Sequence, residues 1–371
     1  MKLTISRDSL LNELVHVVGA IEKKHTSKIL ENIMIQVNEN QLKLVGTDLE
    51  IELSATLDIQ SEITGQTTAP GRKLYDICKA LPPDCFLLLE TDDNNRLQIK
   101  GLRSRFELAT LPADEFPLLD DIPIQQELSL PEADLKRLLE KVSFSMANQD
   151  VRYYLNGLLL EFEDNKIHAV STDGHRLAIS DYQSLDSDHA TIKPFKIVVP
   201  RKGILELIRL LDSSSELPVN LQISDNHIRV QKNGIRFTSK LIDGKYPDYQ
   251  AAIPTNSAHT LELDRDQFKD TLARVAILSN EKFRGIRIRL KNGVMTLHSN
   301  NPENESAEEE IDINYAGDDF EIGFNVSYLL EAVNHLEGKT INLELSSPDS
   351  SALLHSLDDT DTRYVVMPIR L

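Results

Sequence analysis

The sequence predicts an α+β protein built from three copies of one helix-plus-antiparallel-sheet unit. The prediction rests on a repeated apolar pattern, a repeated hairpin signal and repeated helix-start residues. A chain of 371 residues is too long for one ordinary core and suits two or three domains. We expect domains at 1–125, 126–256 and 257–371. The sequence near the two boundaries is polar and carries proline, as linkers do.

The first half of each copy is a short strand followed by an amphipathic helix. An alternating apolar pair precedes apolar residues spaced four and three apart, which is the period of a helix face. The matching sets are Leu3, Ile5, Leu10, Leu14 and Val17, then Leu128, Leu130, Leu135, Leu139 and Val142, then Leu261, Leu263, Phe268, Leu272 and Val275. Helix-start residues agree with the pattern: Ser6 and Asp8, Ser129 with Pro131, and Asp264 with Asp266.

A β-hairpin signal follows each of these helices. Alternating apolar residues flank polar turns at 38–40, 163–165 and 291–293. Each copy then repeats the design, with a second helix that begins near Pro70, Pro200 or Asn325. The second half closes on a strand with an adjacent arginine and aromatic residue, at Arg105-Phe106, Arg236-Phe237 and Arg363-Tyr364. Each copy is therefore expected to be internally doubled.

Composition limits the classes of partner. With 40 Lys and Arg against 59 Asp and Glu, the formal net charge of -19 should repel nucleic acid on average. Any DNA binding must therefore be local or topological. Cys78 and Cys85 have no metal-binding or redox spacing, so we expect buried thiols in a reducing cytoplasm. The sequence has no apolar signal core and no apolar run of membrane-spanning length.

The segment Thr172–Arg176 is the strongest candidate for a catalytic loop. Asp173 could orient His175 as a general base, which would make the protein a hydrolase. No nucleophile motif, glycine-rich phosphate loop, zinc signature or calcium loop accompanies it in the sequence. The first copy has Thr-Asp at the matching positions 47–48, which favours a structural or binding turn with Gly174 at positive φ. We therefore expect no enzyme activity and no cofactor.

Clusters of opposite charge lie in the first and final copies. The segment 303–310 is rich in glutamate but lacks the spacing of a calcium loop, so a metal site is disfavoured. Arg103 and Arg105 should share one face of a strand, whereas Phe106 and Leu108 should share the other. Two hypotheses stay open: a head-to-tail contact between the clusters, or two unrelated patches of surface charge.

Two further segments suit binding. Gln149–Gly157 holds adjacent tyrosines, Tyr153 and Tyr154, that could hydrogen-bond phosphates and stack on bases. The alternative is a strand with one tyrosine in the core and one on the surface. The carboxyl end, 364–371, is apolar almost to its last residue. This predicts a final edge strand docked on the core or, if its methionine and proline are exposed, an adaptable peptide groove.

Six motifs occur in order along the chain: Gly46–Glu50, Phe144–Gly157, Thr172–Leu177, Val199–Gly203, Ile277–Gly285 and Tyr364–Leu371. Through them the whole chain resembles the family of bacterial sliding clamps, the beta subunits of DNA polymerase III. The resemblance implies a homodimeric ring of two head-to-tail protomers and six similar domains, with helices lining the hole and sheets forming the rim. A closed ring holds DNA topologically without sequence preference, needs little affinity and can slide, which reconciles DNA binding with the acidic charge.

The resemblance also implies roles for single residues at the hole and between protomers. The DNA contacts of the family fall on Lys24, Arg72, Gln149, Tyr153 and Tyr154. Helix residues that would add positive charge to the hole are Lys136, Arg137, Lys141, Arg201, Lys202 and Arg209. The interface between protomers falls on Lys73, Arg103, Arg105, Phe106 and Leu108 against Ile277, Leu278, Glu303, Glu305, Glu308 and Glu309.

A peptide groove is the third implied site. In the family it docks a short motif from the polymerase III catalytic subunit, the clamp loader, other polymerases, and mismatch-repair and ligation proteins. It falls on Arg152, Leu155, Thr172, Gly174, His175, Leu177, Pro247, Asn325, Tyr328, Val365, Met367, Pro368 and Arg370. The chain departs from the family pattern at Lys24, Ala252 and Ser306, where arginine, a larger aliphatic residue and an acid are expected.

Three hypotheses of function follow. The leading one is a processivity clamp that encircles duplex DNA, tethers polymerase and catalyses nothing itself. The hydrolase hypothesis requires His175 for turnover, whereas the clamp hypothesis makes it a wall of the groove. A repeat scaffold that binds only proteins is the third, and it requires no contribution from Arg201 or Lys202 to DNA retention.

Overall fold

The computed structural model describes residues 1–22, 27–92, 94, 96–119, 122–163, 165–183 and 194–370. The chain divides into two compact units. Unit 1 is Met1–Ala133 with Leu205–Leu241, and unit 2 is Asp134–Ile204 with Ile242–Leu371. No helix in the described ranges is long and apolar enough to cross a membrane.

The first copy begins with the expected strand and helix and then repeats this order. Its elements are β1 Lys2–Ser6, α1 Arg7–Val17, β2 Asn32–Val37, β3 Gln41–Thr47, β4 Ile51–Asp58, β5 Ser61–Ile63, β6 Gly65–Pro70, α2 Gly71–Ala80, β7 Phe86–Thr91, β8 Arg96–Gly101 and β9 Ser104–Ala109. The Ser6 side chain caps α1 by accepting a hydrogen bond from the Ser9 amide. Leu10, Leu14 and Val17 are fully buried, as the helical spacing predicts.

The central copy repeats the order. Its elements are β10 Gln126–Pro131, α3 Glu132–Ser143, β11 Gly157–Glu163, β12 Lys166–Thr172, β13 Arg176–Gln183, β14 Phe195–Pro200, α4 Arg201–Leu210, β15 Pro218–Ile223, β16 His227–Lys232 and β17 Ile235–Lys240. Ser129 was expected to start the helix, but it lies inside β10. Pro131 immediately precedes α3, as Pro200 precedes α4, because proline cannot continue the sheet hydrogen bonding.

The final copy contains β18 His259–Asp264, α5 Arg265–Ala276, β19 Gly285–Lys291, β20 Val294–Asn300, β21 Ser306–Asp312, β22 Phe320–Asn325, α6 Val326–His335, β23 Thr340–Leu345, β24 Ala352–Ser356 and β25 Thr362–Val366. Asp264 caps α5 through the Gln267 amide, at 2.9 Å. Asn325 caps α6 through the Ser327 amide, also at 2.9 Å. The threefold repeat of an internally doubled unit is therefore confirmed.

Each compact unit contains one sheet that joins two copies. In unit 1 the eight-stranded order is β10-β15-β16-β17-β4-β3-β2-β6, and a five-stranded sheet has the order β5-β1-β7-β8-β9. In unit 2 the eight-stranded order is β14-β11-β12-β13-β25-β24-β23-β18, and a four-stranded sheet has the order β21-β20-β19-β22. The seams are the antiparallel pairs β17–β4 and β13–β25.

The seams correct one expectation from the sequence. The last strand, β25, was expected at a sheet edge, but it pairs with β13 on one side and β24 on the other. Its Tyr364 is 1% exposed, and the Tyr364 hydroxyl donates a hydrogen bond of 2.8 Å to the Lys141 carbonyl. Strand β25 is thus an interior strand of its sheet. Cys78 and Cys85 are buried free thiols, as expected.

Candidate functional site

The Thr-Asp turn of the central copy lies where β12 ends and β13 begins. The Thr172 hydroxyl donates to the Arg176 carbonyl at 2.5 Å and accepts from the Gly174 amide at 3.0 Å. Asp173 Oδ1 accepts from the amides of residues 175 and 176 at 2.9 and 3.1 Å. Asp173 Oδ2 accepts from Arg176 Nε at 3.1 Å. Both carboxylate oxygens are thus engaged in building the turn rather than in orienting the imidazole of His175.

The first copy contains the same turn without a histidine. The Thr47 hydroxyl donates to the Ile51 carbonyl at 2.8 Å and accepts from the Leu49 amide at 3.1 Å. Asp48 Oδ1 accepts from the amides of Glu50 and Ile51 at 2.9 and 2.8 Å. Because this bonding recurs where no base exists, turn chemistry explains the Thr-Asp pair and a catalytic role for Asp173 is not needed.

A groove of about 260 Å³ adjoins the turn in unit 2. Its lining joins β12, β13 and the end of β25 to the segment 241–258 between β17 and β18. Eight residues expected in a peptide groove line it: Arg152, Leu155, Thr172, Gly174, Leu177, Pro247, Val365 and Met367. Leu155, Leu177 and Val365 belong to a buried apolar cluster, so the floor of the groove is apolar. This is the lining expected of a site that takes an apolar side chain.

Arg152 forms the polar rim of this groove. Its guanidinium makes a two-point contact with Asp150, at 3.0 and 2.9 Å, and donates to the Asp173 carbonyl at 3.2 Å. Hydrogen bonds from the Arg152 side chain and amide lower the pKa of Asp150 to about 2. Gly174 has φ +88°, and a Cβ there would come within 2.9 Å of an Arg152 nitrogen. The absence of a side chain at Gly174 therefore lets Arg152 cover the turn.

Other residues expected in the groove surround it without lining it. The His175 ring stacks on Tyr328, with the ring centroids 6.2 Å apart, and Arg176 lies over the same tyrosine at 4.7 Å. Asn325 caps α6, and Arg370 is 95% exposed with its nearest acidic partner, Asp349, at 3.8 Å. The remaining expected residue outside the lining is Pro368, which is half-buried.

Sequence reasoning missed several residues of the lining. Arg176, Asp248 and Tyr249 line the groove, and Tyr154 lines it although it was expected at DNA. Ala252, noted only as a departure from the family pattern, also lines it. Tyr249 follows a proline in a segment without regular periodicity, so no sequence pattern placed it beside a strand from another copy.

The expected DNA contacts are spread over both units. Lys24 lies outside the described residues. Arg72 is exposed on α2 and donates to the Ile21 carbonyl at 2.9 Å. Gln149 is exposed with φ +59°. Tyr153 is 57% exposed and begins the 3₁₀ helix Tyr153–Asn156, so the tyrosine pair does not lie in a strand.

The helix charges expected at the hole need one correction. Lys141 is 6% exposed and binds Asp359 at 3.2 Å and Glu337 at 2.8 Å, so it is part of the core of unit 2. Arg137 and Arg209 are exposed, while Lys136, Arg201 and Lys202 are half-buried. Arg201 also donates to the Met146 carbonyl at 3.1 Å.

The residues expected between protomers lie at two open sheet edges. Strand β9 is an edge of the five-stranded sheet in unit 1, with Arg105 exposed and Phe106 and Leu108 turned toward the core face. Arg103 lies in the preceding turn, not on the strand face as expected. Lys73 is exposed on α2.

The acidic edge is β21 of the four-stranded sheet in unit 2. Glu308 is exposed on it, and Glu303 and Glu305 are exposed in the turn before it. Glu309 lies on the opposite strand face, where Arg274 contacts it at 2.5 and 2.7 Å and lowers its pKa. Glu309 stays a predicted interface residue, and its carboxylate is paired with Arg274 within the same protomer. Ile277 is 75% exposed and Leu278 half-buried.

The structure shows no metal centre within the described ranges. Among these residues, no group of three or more histidine, cysteine, aspartate or glutamate side chains is placed to hold a metal ion. The acidic segment before β21 is instead organised by Asn301, whose side chain bonds both the amide and the carboxylate of Glu305, at 2.9 and 2.6 Å.

Comparisons with known proteins cover the whole chain. Models of the N-terminal, central and C-terminal domains of the DNA polymerase III beta subunit match residues 1–120, 129–248 and 250–370. The beta sliding clamps of Vibrio cholerae and Escherichia coli strain K12 are 45% and 44% identical, each with both chains fully covered. The crystal structure of the Pseudomonas aeruginosa beta subunit superimposes with a TM-score of 0.95 at 44% identity, with full coverage of both chains. The Caulobacter crescentus beta subunit gives 0.94 at 37%, again with full coverage.

Proposed function

The chain belongs to the DNA polymerase III beta family and is a non-catalytic sliding clamp of DNA replication, and from this premise we propose that two protomers close head to tail around duplex DNA. The observation that carries the proposal is the pair of open sheet edges with opposite charge. Strand β9 and the turn before it present Arg105 and Arg103, and the acid on the same face of β9, Glu107, is paired with Arg96 at 2.9 Å. Strand β21 presents Glu308. Pairing β9 of one protomer with β21 of the other would hydrogen-bond the backbone amides and carbonyls of both edge strands, which could otherwise pair with strands of other proteins.

Apolar residues beside these edges support the same assembly. Phe106 and Leu108 on the core face of β9 would meet Ile277 and Leu278 after α5. Ile277 is 75% exposed in the single chain, and covering it would add apolar burial to the charge complementarity. An isologous contact would place like charges together, whereas a head-to-tail contact places opposite charges together and closes with two identical interfaces.

Inside the ring, we assign DNA contact to Lys24, Arg72, Gln149, Tyr153, Tyr154, Arg201 and Lys202. Arg137 and Arg209, which are exposed on their helices, would add to this field. Screened attraction to phosphate does not depend on base sequence and allows sliding. The formal charge of -19 is compatible with this role because enclosure replaces affinity as the source of retention.

The groove is proposed to dock a short motif from partner proteins. These partners are the polymerase III catalytic subunit, in which the polymerase activity resides, the clamp loader, other polymerases, and mismatch-repair and ligation proteins. The apolar floor and the Arg152 rim suit a peptide with an apolar anchor. A sliding clamp from Pseudomonas aeruginosa, 44% identical to this chain, has been crystallised bound to griselimycin. The site of action would be the bacterial cytoplasm, where the chromosome is replicated.

Topological retention tests the ring directly. The protein would be loaded by a clamp loader with ATP onto nicked circular DNA and followed by gel filtration before and after the circle is cut. We expect retention on circles and loss from linear ends. Equal behaviour on both DNAs would overturn the ring.

A charge-reversal variant links the test to the two edges. Arg105→Glu should weaken dimerisation in ultracentrifugation and shorten retention on circles, most clearly at low salt. Lys291→Glu changes the same charge at a site away from both edges and should behave as the unchanged protein. An unaltered dimer in Arg105→Glu would exclude β9 from the interface.

A further inference from the structure

One wall of the groove is attached to a buried carboxylate outside it. Tyr249 lines the groove, and its hydroxyl donates a hydrogen bond of 2.8 Å to Glu161 Oε2. Glu161, on β11, is 5% exposed. Its other oxygen receives Lys196 Nζ, from β14, at 2.6 Å. The bond therefore connects the segment between β17 and β18 to strand β11.

The wall itself is a short continuous piece of backbone. Tyr249 precedes the 3₁₀ turn Gln250–Ala252, and the Tyr249 carbonyl accepts from the Ala252 amide at 3.1 Å. Ala252 also lines the groove, and both residues pack on the apolar cluster that contains Leu177 and Val365. The ring and the methyl group thus lie on one turn of backbone, and the phenolic hydroxyl holds the ring to the sheet.

We propose that Glu161 is a positioning residue for the groove: by holding the Tyr249 hydroxyl it fixes the wall and limits the size of the apolar side chain that the groove accepts. This inference rests on the proposed peptide-binding role of the groove and deepens it. Glu161 does not touch the peptide. It acts through the ring of Tyr249, which does.

The electrostatics of Glu161 suit this role. Burial opposes ionisation of Glu161, but hydrogen bonds from Lys196 and Tyr249 outweigh it and lower the pKa. An ionised carboxylate accepts only, so it can receive the phenol in one orientation and makes a stronger bond than a neutral acceptor. Lys196 is 60% exposed and contacts the Glu161 oxygen that does not hold the phenol, so removing the lysine leaves Oε2 as the acceptor for Tyr249.

The test measures anchor selectivity rather than affinity alone. A fluorescein-labelled peptide from the clamp-binding segment of the polymerase catalytic subunit would be made with valine or phenylalanine as its apolar anchor. Binding would be followed by fluorescence anisotropy on the full-length protein, with thermal melting in parallel. In Tyr249→Phe and Glu161→Ala the released wall should weaken the valine peptide about tenfold and the phenylalanine peptide less than threefold.

Three further variants separate positioning from general stability. Glu161→Gln keeps an acceptor and should stay within about twofold of the unchanged protein. Lys196→Ala removes the ion pair and should do the same. The double variant Tyr249→Phe with Glu161→Ala should lose no more than either single change, because both remove one contact.

The outcomes distinguish this inference from the proposed function. Loss of both peptides by the same factor, together with a lower melting temperature, would show a merely structural role and overturn the inference. Unchanged selectivity in Tyr249→Phe would overturn it as well. Failure of the unchanged protein to bind either peptide would instead overturn the proposed peptide role, and the inference with it.

Discussion

The two Thr-Asp turns share their hydrogen bonds but differ in what lies beside them. In unit 1, Glu52 follows the turn on β4 and stands opposite Thr238 of β17. In unit 2, Leu177 follows the turn on β13 and stands opposite Val365 of β25. The register makes the two pairs equivalent across the seams. One pair is polar and the other is apolar.

This difference determines in which unit the chain covers the residue after the turn with its own linker. Glu52 is 1% exposed, and the Leu119 amide donates to its carboxylate at 2.8 Å, which ties the linker after β9 to β4. Phe116 of the same linker packs on Met34 and Val45. In unit 2 the corresponding face keeps an apolar groove beside Leu177. The Thr-Asp turn sets where the next strand begins in both units. The residue after the turn, Glu52 or Leu177, then determines whether the chain covers that surface itself or leaves a groove for a partner.

The largest expected effect on peptide binding comes from placing the glutamate of unit 1 at the equivalent position in the groove of unit 2. Leu177→Glu should weaken peptide binding at least about 100-fold, because it places a carboxylate on an apolar floor. Fluorescence anisotropy measures the loss, and circular dichroism checks that the variant is folded. Glu52→Leu is the reverse exchange and should leave peptide affinity unchanged. Affinity within threefold in a folded Leu177→Glu would contradict the proposed groove.

An intermediate effect is expected from the residue at positive φ in each turn. Gly174 has φ +88° and Leu49 has φ +76°. Gly174→Leu should cost about 1–2 kcal/mol of stability and displace Arg152, with weaker peptide binding. Leu49→Gly relieves the same strain and should raise stability by up to about 1 kcal/mol without any effect on the peptide. Urea unfolding would measure the stability of each variant, and fluorescence anisotropy would measure peptide affinity. Stability changes of the same sign in both variants would contradict the comparison.

The smallest expected effect is on pH dependence. His168 of β12 stands opposite Asp181 of β13 in unit 2, and at the equivalent positions of unit 1 Lys43 of β3 stands opposite Thr56 of β4. The hydrogen bond to Asp181, at 2.7 Å, raises the pKa of His168 against the opposing effect of burial. The stabilisation is therefore complete below the unfolded pKa of about 6.5 and is lost as pH rises through the higher folded pKa.

His168→Gln should remove this contribution, about 0.5–1 kcal/mol, at pH 5.5 and change little at pH 8.5. Urea midpoints of the variant and the unchanged protein at the two pH values give the difference. Lys43→Gln is the matched change in unit 1 and should alter stability equally at both pH values. A pH-independent loss in His168→Gln would mean that the histidine acts by packing alone.

Sequence periodicity was sufficient to predict the helices and strands, but it did not predict which strands and side chains pack beside them. The spacing of Leu10, Leu14 and Val17 predicts a buried helix face, and the structure buries all three. Lys141 appeared equivalent to its exposed neighbours on α3, because helical charge patterns do not reveal a buried acid such as Asp359 contributed from far along the chain. β25 was expected at an edge from its apolar sequence, but sequence order does not determine sheet order, and β25 lies inside its sheet.

The candidate site shows the same limit. Family motifs place Arg152, Leu177 and Met367 at the groove, since these lie in contiguous, recognisable segments. Tyr249 and Glu161 are 88 residues apart, and neither belongs to such a motif. Their contact depends on how a loop crosses a sheet, which residue spacing alone cannot specify. The contact of Glu309 with Arg274 was missed for a related reason, because residue spacing does not show which side chain of α5 lies beside β21.

The seams β17–β4 and β13–β25 also bear on how the protein can be divided. A protease cut or a gene truncation in the linker after β9 separates the first copy from the central copy. It does not separate two independently folding domains, because β4 and β17 pair across that boundary. A fragment holding only the first copy would carry β4 with one whole side unpaired, in a strand whose inner residues Ile51, Leu53 and Ala55 are almost fully buried. Such an edge invites aggregation. The sequence repeats as copies, whereas the shared sheets make neighbouring copies dependent on one another for a fully paired β4 and β13.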